Sequence, residues 1–284
     1  MEIAINIINA FTTGGKGGNP AAVVLDADDL STEQKQQIAM LAGLAETAFI
    51  SRSAIADFKF DFFTPVRQIA DCGHATVAAF AYLKQTGRIP EQKTTSSKET
   101  IDGRREIIFK SQEVFMEQKA PVFSQLSADD AMSVAASLKI ADTGYTPLIS
   151  DNGNRFVLLE VESDKALSAL KPDMQQITDI STKHNLIGYY IFCNVPGADS
   201  TTRMFAPAYG IPEESATGMA AGQLAAYLYQ SKHQKQHFQI HQGHFMTQAS
   251  PSLIQVDLDI ADGKITSLFA GGSAQLVTKQ IVEI

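Results

Sequence analysis

The chain has 284 residues, a length that predicts two domains, because a single hydrophobic core stops growing at about 250–300 residues. The composition, 44% hydrophobic and 19% charged, is typical of a globular protein and contains no apolar run long enough to span a membrane. A net charge of −8 without clusters of Lys or Arg argues against nucleic acid or an anionic membrane as the main partner.

The first residues alternate like a strand and lack the basic and apolar regions of a signal peptide. The chain has only two cysteines, Cys72 and Cys193, too few for a disulfide framework. We therefore expect a cytoplasmic protein.

Short strands and helices alternate along the first half. Ser31 to Gln34 has a capping-box pattern, which predicts the start of a helix that ends near Gly43. Phenylalanines at positions 58, 60 and 62 alternate with polar residues and predict a strand. A helix rich in small residues is predicted after Gly73, and the polar run Pro90 to Thr100 is interpreted as an exposed loop.

The second half repeats this order, which indicates an internal duplication. Gly73 to Leu83 aligns with Gly218 to Leu228, with identical residues at five of eleven positions. Phe63-Thr64-Pro65 likewise corresponds to Phe205-Ala206-Pro207. Strands combined with one such helix per half predict an α+β fold. We place the domains at residues 1–118 and 119–284, with the last strand able to pack back on the first domain.

Four short motifs occur in the same order as in a known family: Gly18 to Val23, Glu46 to Phe49, Cys72 to Thr76 and Glu214 to Gly218. Together they resemble the PhzF-like family of phenazine biosynthesis, over nearly the whole chain. The resemblance implies a diaminopimelate-epimerase-like fold: two pseudo-symmetric domains, each a curled, mostly antiparallel or mixed sheet around a central helix. It places the active site in the interdomain cleft. It also implies a homodimer and chemistry with no metal, pyridoxal phosphate or nucleotide cofactor.

Glu46 lies among apolar and small residues where a predicted helix gives way to a strand. Burial there would raise the pKa of its carboxyl toward neutrality, as a group that takes up and returns a proton requires. The alternative is a surface acid in a loop. The resemblance implies catalysis, because Glu46 matches the general acid/base of the family. Its counterpart in the second half is Gly188, so only one half is expected to supply this acid.

The helices that begin at Gly73 and Gly218 are candidate sites for a substrate carboxylate. Backbone N–H groups and the helix dipole favour an anion at a helix N terminus, although small residues also simply allow close packing. His74 matches the histidine of the family, which implies that it hydrogen-bonds substrate or orients Glu46. Asn19 is expected to hydrogen-bond substrate or to brace its turn.

The motif around Glu214 departs from the pattern of the family. Where the family commonly has Glu-Asp-Pro-Ala-Thr-Gly-Ser, residues 213–219 read Glu-Glu-Ser-Ala-Thr-Gly-Met. Glu214 keeps the acid but moves its carboxylate by one methylene, and Met219 lacks a hydroxyl. We expect Glu214 to assist proton transfer, and Ser215, Thr217 and Met219 to contact substrate. Because of these departures, the dihydro-hydroxyanthranilate isomerase activity of the family's namesake is not assumed for this chain. Further on, Gln242-Gly243 keeps the usual Gln-Gly of the family.

Cys72 supports an alternative function, a cofactor-independent amino-acid racemase or epimerase that uses two opposed thiols. The matching position of the other half holds Thr217 by the repeat or Ser215 by the motif, and neither is a thiolate near pH 7. Cys72 is otherwise interpreted as a small packing or substrate-contacting residue. A further alternative is a homologue that binds a small molecule without turning it over.

Two other patterns in the sequence resemble cofactor sites, but neither predicts one. Four histidines are spaced so that they would lie together if this segment were a helix: His233, His237, His241 and His244. Residues 238–241 alternate like a strand, however, so no metal site is expected from these histidines. The glycine-rich run Thr13 to Asn19 matches neither nucleotide-binding spacing. The sequence thus predicts a cofactor-free isomerase that moves a proton on a small carboxylate-bearing molecule, with Glu46, His74 and Glu214 as catalytic residues.

Overall fold

The computed structural model describes residues 1–140, 144, 146–194, 197–231 and 234–284. The chain has a mixed α+β fold and packs as two compact units. Unit 1 comprises Met1–Glu117 and Gly271–Ile284, and unit 2 comprises Gln118–Ala270. In the part of the chain that the structure describes, no helix has the length and apolar character needed to cross a membrane.

Unit 1 contains a mixed sheet. In chain order its elements are β1 (Glu2–Ala10), β2 (Asn19–Val24), α1 (Thr32–Ala42), β3 (Thr47–Ser51), β4 (Phe58–Phe63), β5 (Gln68–Ile69), α2 (Gly73–Gln85), β6 (Thr95–Thr100), β7 (Gly103–Lys110) and β8 (Glu113–Gln118). The pairs β1–β2, β3–β4, β4–β5, β6–β7 and β7–β8 are antiparallel. The pairs β2–β3 and β4–β6 are parallel.

Unit 2 repeats this plan. Its elements are β9 (Val122–Gln125), α3 (Ala128–Ser137), β10 (Leu148–Asp151), β11 (Arg155–Glu160), α4 (Asp164–Ser168), α5 (Met174–His184), β12 (Gly188–Cys193), β13 (Ser200–Ala206), β14 (Ile211–Glu214), α6 (Gly218–Ser231), β15 (His237–Gln242), β16 (Ser252–Ala261) and β17 (Lys264–Gly272). The pairs β11–β12 and β13–β15 are parallel, whereas β10–β11, β12–β13, β13–β14 and β15–β16 are antiparallel. The last strand, β18 (Ala274–Glu283), pairs antiparallel with β1 of unit 1.

The register of the strands shows which residues are equivalent in the two units. In unit 1, Thr47 pairs with Phe63 on β4, and in unit 2, Tyr189 pairs with Phe205 on β13. Phe63 and Phe205 are the two phenylalanines that the repeated Phe-x-Pro sequence aligns. The residues just before Thr47 and Tyr189, Glu46 and Gly188, are therefore equivalent positions.

The two helices that follow Gly73 and Gly218 are buried on almost all sides. Alanines make up much of α2 and α6, and Ala75, Ala78 and Ala79 on α2 are completely buried. Small and mostly apolar side chains on all faces are typical of a buried helix, and they allow neighbouring strands to approach it closely. In unit 1, α2 packs against β1, β2 and β18.

Local sequence signals predict the start and end of α1 correctly. The Ser31 hydroxyl accepts a hydrogen bond from the Gln34 N–H, and the Gln34 side chain accepts one from the Ser31 N–H, which completes the capping box. The helix ends at Gly43, whose φ of 65° is left-handed and suits glycine.

The prediction of an exposed loop over the polar run Pro90 to Thr100 is wrong for its second half. Thr95–Thr100 forms β6, which pairs with β4 and β7. Ser96 and Ser97 on β6 are buried and hydrogen-bond to Asp57: the Ser96 hydroxyl donates to the Asp57 carboxylate at 2.9 Å, and the Ser97 N–H donates to the same oxygen at 3.0 Å. Asp57 is distant from β6 in sequence, so the polar composition of the run by itself predicted exposure to solvent.

Candidate active site

Glu46 is the residue immediately before β3, and its carbonyl accepts a hydrogen bond from the Ala22 N–H at 3.0 Å. Its side chain is only 8% exposed. At the equivalent position of unit 2, a Cβ on Gly188 would collide with the Phe205 carbonyl oxygen. The acid of unit 1 is therefore replaced in unit 2 by a glycine, at a position where the neighbouring strand leaves no room for a side chain.

His74 lies in the first turn of α2, with its ring between a carboxylate and a thiol. Its Nε2 is 3.3 Å from Oε2 of Glu46, and its Nδ1 is 3.5 Å from Sγ of Cys72. Burial lowers the pKa of His74 to about 4, although a hydrogen bond to the Pro20 carbonyl opposes this shift. The imidazole is therefore neutral at pH 7 and carries one N–H. Asn19, the buried first residue of β2, directly precedes Pro20.

Glu46, Cys72 and His74 are of residue types that bind metals, and one ligand atom of each lies within 4.8 Å of the others. A metal ion would bind one ring nitrogen, whereas here the two nitrogens face two different side chains. We therefore assign no metal site to these three residues. Chemically, the cluster suits the movement of a proton onto and off Glu46 beside a neutral imidazole.

A buried ion pair beside this cluster is not predicted from the sequence. Lys98 on β6 is completely buried, forms an ion pair with Asp71, and donates to the Thr76 hydroxyl at 2.7 Å. The Asp71 carboxylate in turn accepts the Cys72 N–H at 2.7 Å. Burial lowers the pKa of Lys98, and the charge of Asp71 opposes that shift. The pair holds the turn in which Cys72 and Gly73 begin α2.

In unit 2, the structure brings together the predicted residues around the start of α6. Glu214 ends β14, and its carboxylate accepts a hydrogen bond from the Thr217 hydroxyl. Ser215 and Thr217 are buried, whereas Met219 is half-buried on the first turn of α6. The carbonyl of Gly218 accepts from the Gln118 side chain at 3.0 Å.

Gln242 is a buried member of this group that was not predicted as a site residue. Its Nε2 donates to the Glu214 carbonyl at 2.7 Å and to the Thr217 hydroxyl at 3.0 Å. Its Oε1 accepts the Thr217 N–H and the Tyr190 hydroxyl, each at 3.0 Å. The available sequence signal was the Gln-Gly pair at 242–243, which resembles the family but indicates no partner.

Of the histidines near the C terminus that the structure describes, His237, His241 and His244 do not share a helix. As predicted, residues 238–241 belong to a strand, β15, and His237 forms an exposed ion pair with Asp257. The rings of His241 and His244 lie 5.3 Å apart. His233 lies outside the described residues.

Comparison with known proteins gives consistent results. Residues 8–279 match the PhzC-PhzF family, described as phenazine biosynthesis-like protein. The chain is 32% identical over 246 residues to YddE of Escherichia coli (strain K12), named an uncharacterized isomerase, with 80% of each chain covered. It is 34% identical over 229 residues to trans-2,3-dihydro-3-hydroxyanthranilate isomerase of Pseudomonas chlororaphis, with 78% of each covered. The crystal structure of a Bacillus anthracis PhzF-family phenazine biosynthesis protein matches with a TM-score of 0.88 and 25% identity, over 100% of both chains.

Proposed function

This chain belongs to the PhzC-PhzF family of phenazine biosynthesis-like proteins and is an isomerase, and from this premise we propose that it transfers a proton within a small carboxylate-bearing metabolite, with Glu46 as the general acid/base. The observation that carries the proposal is the buried Glu46 carboxylate 3.3 Å from the neutral ring of His74. An isomerase that shifts a double bond by proton transfer needs a group that removes a proton from one carbon and returns it to another.

In the proposed mechanism, the Glu46 carboxylate takes the proton and holds it while the electrons of the substrate rearrange. His74, whose Nε2 lies 3.3 Å from that carboxylate, is proposed to fix its position. Backbone N–H groups at Gly73 and Gly218 are proposed to bind the substrate carboxylate or a developing enolate, because preorganised donors stabilise such charge by a few kcal/mol. We also keep Glu214 as a residue on which turnover depends, and Asn19 as a substrate contact.

Substrate contacts are further proposed for four residues near the two helix starts: Cys72, Ser215, Thr217 and Met219. The name of the Pseudomonas chlororaphis relative makes trans-2,3-dihydro-3-hydroxyanthranilate the first compound to test. Because residues 214 and 219 depart from the pattern of the family, we propose the compound as a probe of the substrate class rather than as the substrate. The proposal includes a homodimer, which light scattering of the purified protein tests.

The test is incorporation of solvent deuterium into a panel of small carboxylates that includes this compound. We expect Glu46→Gln to reduce exchange by at least about 100-fold, because general acid–base catalysis typically contributes that much or more. Glu33→Gln, on the exposed first turn of α1, is the matched control and should exchange like the wild type. Full exchange by Glu46→Gln would disprove the assigned role. Binding without exchange by the wild type would instead favour the non-catalytic homologue.

The second candidate is a racemase, favoured by the 3.5 Å between Sγ of Cys72 and Nδ1 of His74. A thiol beside an imidazole is a plausible base for an amino-acid α-proton. The same assay separates the two functions through Cys72→Ala. The isomerase proposal expects this variant to exchange more slowly, because only a substrate contact is lost, whereas a racemase would lose all exchange at the α-carbon of an amino acid.

A further inference from the structure

The orientation of the Gln242 side-chain amide is fixed by backbone groups that can act in only one way. The Thr217 N–H can only donate, so it faces Oε1, and the Glu214 carbonyl can only accept, so it faces Nε2. The Tyr190 hydroxyl also donates to Oε1, and the Thr217 hydroxyl oxygen also accepts from Nε2. Each of the two amide atoms therefore makes two hydrogen bonds. Because Gln242 is completely buried, no water competes for these positions.

This orientation determines the direction of the Thr217 hydroxyl proton. The Thr217 oxygen accepts from Gln242 Nε2 at 3.0 Å, so its single proton points to another acceptor. That acceptor is Oε2 of Glu214. A hydroxyl that donates to a carboxylate stabilises its ionised form, and such charge-assisted hydrogen bonds are stronger than neutral ones.

We propose that Gln242 is a positioning residue, which directs the Thr217 hydroxyl toward Glu214 and so keeps that carboxylate ionised and oriented for its part in the reaction. Gln242 acts on Glu214 through Thr217 and through the Glu214 carbonyl. The link to turnover rests on the proposed function, whereas the link between Gln242, Thr217 and the ionisation of Glu214 does not.

Two other charged or titratable features belong to the strands around Glu214. Tyr190 on β12 has its pKa raised by burial, with Glu214 adding to the shift, so it is a neutral phenol that donates to Gln242. Arg203 on β13 is held by Glu213 in two hydrogen bonds of 2.7 and 2.8 Å, so its charge is largely compensated. The hydrogen bond from the Thr217 hydroxyl to Glu214 is thus the interaction that Gln242 controls directly.

The test is the pKa of Glu214, followed without substrate by carboxyl 13C NMR, with the resonance assigned by its loss in Glu214→Gln. We expect Thr217→Val to raise this pKa by about one unit, since a hydrogen bond to a charged group contributes about that much. Thr217→Ser, which keeps the hydroxyl, should leave it near the wild-type value. An unchanged pKa in Thr217→Val would overturn the proposal.

Gln242→Met tests the positioning step. It should raise the pKa of Glu214 by a similar amount, and it should have no further effect in a Thr217→Val background, because both changes remove the same interaction. Additive shifts would show that Gln242 acts by another route and would refute the positioning role. If Gln242→Met does not fold, Gln242→Asn takes its place, because its side chain is one methylene too short to keep both hydrogen bonds, and an unchanged pKa of Glu214 in that variant would refute the positioning role. Loss of the Glu46 role in the exchange assay would leave these pKa values unaffected, so the two failures are distinguishable.

Discussion

At the scale of single residues, the site depends on groups whose ordinary ionisation is altered by burial. His74 is the clearest case, because its ring is 3% exposed and its pKa falls to about 4. A neutral imidazole can hold Glu46 in place without neutralising its charge. The same burial makes His74 a determinant of stability in weak acid.

The sign of this pH dependence follows from the two states. The pKa of His74 is about 4 when folded and about 6.5 when unfolded, so below pH 6.5 the unfolded chain binds a proton that the folded chain does not. Between pH 7 and pH 5 the wild type should therefore lose about 2 kcal/mol more unfolding free energy than His74→Asn. Denaturant unfolding of both proteins at the two pH values measures this. Equal losses would mean that His74 titrates normally.

A second residue-scale lesson concerns Gly188. Its equivalence to Glu46 was predicted by the repeat, but the reason that unit 2 holds no acid there is steric. A Cβ would collide with the backbone of β13, so no side chain is tolerated without a shift of the strand. The asymmetry of the two units is therefore built into their backbones.

At the scale of elements, β6 shows why a polar run was misjudged. Its residue Lys98 is completely buried, and its partners Asp71 and Thr76 come from the segment that begins α2. A buried lysine is stable only when such partners are present. The strand and the start of the helix therefore depend on each other.

We expect Lys98→Met to destabilise the protein by about 3 kcal/mol, because it leaves the Asp71 charge largely buried without its cation. Adding Asp71→Asn should restore at least half of the loss, since it removes that charge. Lys59→Met, at an exposed position of the neighbouring strand β4, is the matched control and should cost little. Chemical denaturation measures all three. A cost for Lys98→Met as small as that of the control would exclude a structural ion pair.

At the scale of the whole molecule, the same order of strand pairing occurs in both units, as the sequence repeat predicts. The two units differ in the strands that pair with the first strand of each repeat. In unit 1, β1 lies between β2 and β18, so the C terminus of the chain completes the sheet. In unit 2, β10 lies between β9 and β11.

Removal of residues 274–284 should therefore expose β1 as a sheet edge, because its hydrogen-bonding partner is lost. We expect the amides of β1 that face β18 to lose protection in hydrogen exchange, and the protein to aggregate more readily. A chain that lacks only Ile284 is the control, since it keeps the β1–β18 ladder. Unchanged protection of β1 would show that unit 1 does not need β18.

The sequence by itself determined the features that depend on near neighbours or on repetition. The capping box and Gly43 set the limits of α1, alternation identified β4 and β15, and the repeat with its motifs predicted the α+β plan. It also named Glu46, His74 and Cys72, which the structure places in one buried cluster. The limits of α1, the two strands and the α+β plan were predicted correctly because each relies on a local conformational preference or on a pattern within the chain itself, whereas the roles of the three cluster residues stay predictions.

Only the tertiary structure decided the roles of several buried residues. Lys98, Gln242 and Gly188 show nothing unusual in their local sequence, and their meaning comes from partners on other elements of the same unit. Burial of a charge or an amide is favourable only when distant groups satisfy its hydrogen bonds, and a missing side chain is explained only by the strand that occupies its space. Such partners are brought together by the sheet register, which no local pattern specifies.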